Sequence, residues 1–265
     1  MALYELIFGL SVLALAVTVS QRTRYWAKMV SYFIIMQLVS LVMLPMALMC
    51  PKDPRNFLYG ARLINLSNII FRIDWKLNGR DNVKDKAYII VANHQSSIDV
   101  LGMMMAWDVF HPVVPTMKSA LKYALPFGLY GYLSGSVFID RGSERGRKAL
   151  ERGLEEAKKM KKSMWIFPEG TRNHTEEKLL PFKKGAFHMA VQAQIPILPV
   201  VFSDYSNFYD RDGQRFDSGK ASVTVLPEIS TEGLTSADVA ELCEKTRNLM
   251  IEQYVKTAPT GRKCT

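Results

Sequence analysis

Residues 88–99, YIIVANHQSSID, run apolar for five positions and then deliver Asn93, His94, Gln95, two serines and Asp99. An apolar run that turns abruptly polar reads as a strand end leading into a helix, and four residues separate His94 from Asp99 across that junction. One helical turn brings such a pair into contact. A carboxylate bonded to one imidazole nitrogen fixes the tautomer and leaves the other nitrogen as a base, the arrangement needed to take a proton from a hydroxyl. The same residues also make a capping cluster, with Asn93, Ser96 or Ser97 at the helix start and Asp99 near its positive end. A second polar lip, FPEGTRN at 167–173, follows the apolar run 164–166. Arg172 presents a planar fork to a phosphate, Thr171 and the backbone at Gly170 approach the same oxygens, and Glu169 is placed to orient Arg172 or a substrate hydroxyl. The plainer alternative is a tight turn closed by a surface Glu/Arg pair.

Both lips need a sheet to carry them. Runs rich in β-formers occur at 88–92, 112–117, 136–139, 164–167, 195–202 and 221–226. Helical periods separate several of them, most clearly at 143–160, where Ala149, Leu150, Leu154 and Ala157 recur among charges, and again at 235–255. The alternation predicts an α/β fold, a largely parallel sheet with helices on both faces, whose strand ends are the usual place for a site. Two further apolar stretches, 121–139 and 186–202, carry Lys122, Pro126 and three glycines, or two glutamines and two prolines. They read as core elements rather than membrane spans. A bilayer crossing at 121–139 would also put His94 and Arg172 on opposite sides, where the two polar lips could not share one ligand.

The 265 residues, 48% hydrophobic, suffice for one sizeable domain and an extra segment. That segment is N-terminal. Residues 2–20 are apolar apart from Glu5 and small hydroxyls, and 29–50 form a second apolar run. A cleaved signal peptide fits poorly, because the first run opens with Glu5 and no cation, and a second run follows at once. The connector QRTRYWAK mixes Arg22, Arg24 and Lys28 with Tyr25 and Trp26 and reads as a headgroup-level turn. The expected organisation is therefore a two-helix membrane segment at 1–50 (about 2–20 and 29–50), a connecting segment at 51–86 and the α/β domain at 87–265. Lys52, Arg55 and Arg62 balance the connector's cations, so the positive-inside rule leaves orientation open. A net charge of +9 suits nucleic acid, an anionic membrane or a phosphorylated substrate equally. Three cysteines without paired spacing argue against a disulfide framework or zinc cluster, and His111, His174 and His188 stand singly, so no metal is expected.

Four blocks occur in order: NHQSSID at 93–99, GSVFIDR at 135–141, FPEGTR at 167–172 and IPILPV at 195–200. In this set the chain resembles the glycerolipid acyltransferases, most closely the animal 1-acylglycerol-3-phosphate acyltransferases. The resemblance implies His94 as general base and Asp99 as its orienter. It implies that Arg141, Glu169, Gly170, Thr171 and Arg172 bind the acceptor's phosphate and glycerol, with Lys118, Lys183 and Lys184 as supporting anion contacts. Ile195, Pro196 and Pro199 are implied on the acyl-donor side. The implied reaction moves an acyl chain from acyl-coenzyme A to lysophosphatidic acid at an endoplasmic reticulum membrane, with the lipid bilayer as partner and no nucleic acid, cofactor or metal. Ser96 and Ser97 are left as helix-start residues. Glycerol 3-phosphate or another lysophospholipid is the alternative acceptor. A non-catalytic, membrane-anchored lipid-binding module would need the charge but not both His94 and Asp99. A hydrolase of soluble substrates would have no use for twin apolar helices.

Overall fold

The computed structural model describes Glu5, Gly9 and residues 20–140, 142–175 and 177–257. Most of the first apolar run, Arg141 and Cys264 lie outside the described residues. Helix α1, Gln21–Met49, starts where the Ser20 side chain accepts from the amide of Thr23. The connector QRTRYWAK is therefore not a headgroup-level turn. It contains no glycine or proline to interrupt a helix, and it forms the opening turns of α1, continuous with the second apolar run. Tyr25, Met29, Tyr32, Met36, Ser40, Met43 and Ala47 recur every three or four residues and are buried against the rest of the chain. The opposite face, including Trp26, Phe33, Ile34, Leu38, Leu41 and Val42, is exposed and apolar. Roughly 44 Å long at 1.5 Å per residue, α1 is long and apolar enough to cross a bilayer, yet one whole face is occupied by protein. Among the described residues it is the single candidate span; the expected first helix, 2–20, lies almost wholly outside the described residues, and the expected second one is seen docked along the domain.

Residues 51–86, read from sequence as a connector, contribute helix α2, Arg55–Phe71, and strand β1, Ile73–Asn78. The alternation in Ile73-Asp74-Trp75-Lys76 follows a strand with one face in the core, a period that the expected connector did not register. The next elements are β2 (Ile89–Ala92), α3 (Asp99–Met105), α4 (Trp107–Phe110), β3 (Val113–Lys118), α5 (Phe127–Leu133), β4 (Val137–Ile139), α6 (Glu144–Lys159) and β5 (Ser163–Ile166). After them come α7 (Gly185–Ala193), β6 (Ile197–Phe202), the short hairpin β7 (Tyr209–Asp210) and β8 (Arg215–Phe216), β9 (Gly219–Val225) and α8 (Val239–Lys256).

Seven strands form one sheet in the order β1-β9-β6-β2-β5-β3-β4. Every neighbouring pair is parallel except β6 and β9. Side-chain alternation in β2 divides the core. Ile90 and Ala92 join a cluster with α1, α2, α3 and α4, while Ile89 and Val91 join one with α6, α7 and α8. Helices thus cover both faces, as the alternation of elements predicts. The stretch 121–139 resolves into a 3₁₀ turn, α5 and β4, and 186–202 into most of α7 and all of β6.

Candidate active site

Strands β2, β5, β3, β4 and β6 run the same way, so the polar segments that follow them gather along one edge of the sheet. At the centre of that edge, the Asn93 side chain closes the end of β2 onto β6. Its Nδ2 donates to the Phe202 carbonyl at 3.1 Å, and its Oδ1 accepts the Phe202 amide at 2.8 Å. The next residue is His94, whose Nδ1 lies 2.7 Å from Asp99 Oδ2. The pair spans an irregular loop rather than a turn of helix, since α3 begins only at Asp99. The amides of Gln95 and Ser96 also donate to Oδ2, at 2.7 and 3.0 Å, so the loop wraps around the carboxylate. Capping cluster and charge pair are here the same structure. The imidazole stacks on Phe167, with centroids 4.1 Å apart and planes 20° apart, and its side chain keeps 11% exposure while Asp99 has none. With Nδ1 committed to Asp99, Nε2 is the nitrogen left for a substrate proton.

Glu169 behaves differently from its expected role. It is 4% exposed, its Oε1 accepts the His94 amide at 2.6 Å, and its Oε2 accepts the Leu180 amide at 2.9 Å. Both carboxylate oxygens are spent on the backbone, so Glu169 ties the His94 loop to the segment before α7 instead of orienting Arg172 or a substrate hydroxyl. Burial pushes its carboxyl up to about 7, against the opposing pull of those two amides. The amide of Asn173 adds a second tie by donating to the His94 carbonyl at 2.7 Å. Gly170 sits at φ +72°, and a Cβ there would come within 2.7–2.9 Å of the Lys183 side chain, so glycine lets Lys183 lie across the loop. Thr171 and Arg172 are exposed beyond it.

A cavity of about 590 Å³ opens beside this loop, with Thr116, Asp140, Phe167, Gly170, Lys183 and Met189 among its lining residues. Lys183 thus lies against both the Gly170 loop and the cavity. Lys118, at the end of β3, and Lys184, at the start of α7, are exposed nearby in the fold, but neither lines that cavity. Ile195 and Pro196 precede β6 and lie at the opposite end of the sheet from His94, because Ile197 pairs with Ile89 and Val200 with Ala92. Pro199 is buried in mid-strand opposite Val91. The Ile197 amide donates to Ile229, so the missing N–H of Pro199 falls on the same side, just before pairing with β9 begins at Val200. These three residues shape the sheet, and the structure does not bring them to the His94 edge.

The Acyltransferase family profile matches residues 74–203, from β1 to just past β6. Human 1-acyl-sn-glycerol-3-phosphate acyltransferase alpha is 44% identical over 178 residues, which cover 66% of this chain and 61% of that protein. The mouse alpha protein is 36% identical over 247 residues, 91% of this chain and 85% of its own length. The chain belongs to this acyltransferase family. The fold is also that of the 1-acyl-sn-glycerophosphate acyltransferase PlsC from Thermotoga maritima, with TM-score 0.71 and 21% identity over 93% of this chain and 100% of that one.

Two tyrosines with no counterpart among the residues expected from sequence contact the His94–Asp99 loop. Tyr205 Oη bonds Asp99 Oδ1 and lies 2.9 Å from Ser96 Oγ, while Tyr32 Oη, from α1, donates to the Ser97 carbonyl at 2.8 Å. Tyr205 lies three residues past β6, so reading polar residues after that strand, as after β2 and β5, would have found it. Tyr32 carries no local signal, since it is one aromatic in an apolar run. His174, next to the Arg172 segment, lies 3.0 Å from Arg211 Nη1 at the tip of the β7–β8 hairpin. Burial and the nearby charges of Arg211 and Arg172 hold its imidazole below the usual range.

Proposed function

We propose that this protein transfers an acyl chain from acyl-coenzyme A to the sn-2 hydroxyl of lysophosphatidic acid, releasing phosphatidic acid and coenzyme A. The observation that carries the reading is the 2.7 Å His94–Asp99 bond at the end of β2, within the profile-matched stretch and directly tied to the Glu169–Arg172 loop. His94 Nε2 takes the proton as the acceptor oxygen attacks the thioester carbonyl. The tetrahedral species expels the coenzyme A thiolate, which recovers the proton from the imidazolium. The thioester already carries the activation, so this route asks for no metal or redox cofactor. Arg172, with Arg141 and Lys183, takes the acceptor phosphate, and Thr171 and the Gly170 backbone supply further contacts. The relatives' names support the acceptor assignment.

The acceptor is a lipid, and the apolar surface supports delivery from a membrane. Beyond α1, exposed side chains continue at Leu66, Ile69 and Ile70 of α2 and at Tyr123 and Leu125. In this reading, the domain lies on one leaflet of the endoplasmic reticulum membrane with these groups in lipid. The test is purified protein given radiolabelled acyl-coenzyme A and a panel of acceptors. Transfer to lysophosphatidic acid is expected to dominate and to fall about 10²- to 10⁴-fold in folded His94→Ala. Dominant transfer to glycerol 3-phosphate or to another lysophospholipid would replace the acceptor, and full activity of His94→Ala would overturn the mechanism.

A further inference from the structure

Asp99 is fully buried and, among the described residues, forms no ion pair with a lysine or arginine. Its charge depends on hydrogen bonds. Three of them, from His94 Nδ1 and the amides of Gln95 and Ser96, converge on Oδ2. The bond on Oδ1 comes from Tyr205 Oη. Tyr205 is 2% exposed, and its ring is held edge-on to Trp75 with centroids 6.1 Å apart and in contact with Phe208 and Tyr209, so the hydroxyl is delivered from a fixed direction. We propose that Tyr205 is a positioning residue for acyl transfer, whose hydroxyl stabilises the charged Asp99 and holds it turned so that Oδ2 faces His94. The proposal rests on the reading of His94 as the base.

The chemistry supports a role beyond packing. A bond to an ionised acceptor is about twice as strong as one between neutral groups, and this one falls on the carboxylate that orients the base. Ser96 Oγ alone could have satisfied a merely structural phenol. Burial and the neighbouring Asp99 charge push the Tyr205 phenol well above its usual range, so it keeps its proton at any working pH. The other titratable or charged groups facing the pair are Glu169, Arg172 and His174 from the loop after β5, Tyr32 from α1, and Tyr209. Among the described residues, none of these makes a hydrogen bond to Asp99, and Glu169 is not bonded to Tyr205, so its own titration is common to wild type and variant.

The experiment compares Tyr205→Phe, which keeps the ring, with wild type across pH in the same detergent. Turnover is expected to fall roughly 10- to 100-fold, as for loss of a hydrogen bond to a charged group, with both KM values within about twofold. The acidic limb of kcat/KM is expected to move to higher pH, because the active form of the His94–Asp99 pair carries the negative charge that the lost bond stabilised. Tyr130→Phe, which loses a buried bond to the Asn56 carbonyl away from the site, should leave that limb in place. If Tyr205→Phe fails to fold, site-specific 3-fluorotyrosine at 205 serves instead, since its more acidic phenol should move the limb to lower pH. A Tyr205 variant with an unmoved limb and full turnover, or one that loses only thermal stability, overturns the proposal while inactive His94→Ala preserves the proposed function. An active His94→Ala would remove both.

Discussion

Glu169 and Arg172 stand three residues apart in one motif and divide its work, the first buried and bonded to backbone, the second exposed at the edge. Arg172→Lys keeps the charge but loses the planar fork, so it should raise the KM for lysophosphatidic acid and leave the KM for acyl-coenzyme A near wild type. The reverse pattern in steady-state kinetics would move Arg172 to the donor side. Glu169→Gln should act on the fold instead, since an amide cannot accept both backbone N–H groups and one of them is left unpaired at a cost of about 1–3 kcal/mol. Its pH dependence has a definite sign. Burial raises the folded carboxyl from the ordinary 4.5 to about 7, so the folded state binds this proton more tightly than the unfolded chain. The associated stability is fully present below about 4.5 and is lost as pH rises through 7. The gap in thermal midpoint between wild type and Glu169→Gln should therefore shrink from pH 5 to pH 8, and a gap that widens would contradict the assignment. The motif's residue types were legible in the sequence, but Glu169's partners were not, because backbone amides at His94 and Leu180 leave no trace in side-chain spacing.

At the scale of elements, α1 is part of the domain as well as a candidate span. Besides the Tyr32 bond to Ser97, Gln37 Oε1 accepts the Phe127 amide at 3.2 Å and Gln21 Nε2 donates to Gly213 at 2.9 Å. Five large side chains, Tyr25, Met29, Tyr32, Met36 and Met43, are buried beneath it. At about 1.5–3 kcal/mol for each buried side chain, their loss approaches the whole net stability of a typical domain, about 5–15 kcal/mol. Removing residues 1–50 should thus yield no folded, active soluble domain, as circular dichroism and limited proteolysis would report. A cooperative melt with retained transfer activity would show α1 to be dispensable. The apolar run at 29–50 is legible in the sequence, but the helix begins eight residues earlier, at Gln21. Cations and aromatic rings mark a membrane boundary only when lipid surrounds the helix, whereas here Lys28 reaches the Phe71 carbonyl and lies over Phe216.

Across the whole molecule, one continuous sheet carries His94 and Arg172 on the same edge, and no described helix between them is long and apolar enough to cross a membrane. Single cysteines at exposed Asp108 and Thr175, in a chain with Cys50 and Cys264 replaced, should show the same accessibility to a membrane-impermeant reagent in sealed microsomes. Opposite accessibilities would refute a domain lying on one leaflet. Asn65-Leu66-Ser67 and Asn173-His174-Thr175 fit the N-glycosylation pattern and should remain unmodified if that face is cytosolic.

The alternation of strands and helices, the order of the four blocks and the identities of His94, Asp99 and Arg172 were determined by the sequence itself, because periodicity and residue type are local properties. Tertiary structure decided which of those residues meet. It buried Glu169 as a tie between loops, put Ile195 and Pro196 at the far end of the sheet, drew β1 out of an apparent connector, and brought Tyr205 and Tyr32 from distant segments onto the His94–Asp99 loop. These outcomes depend on strand order and on backbone groups that every residue shares, so nothing in the spacing of side chains along the chain could have announced them.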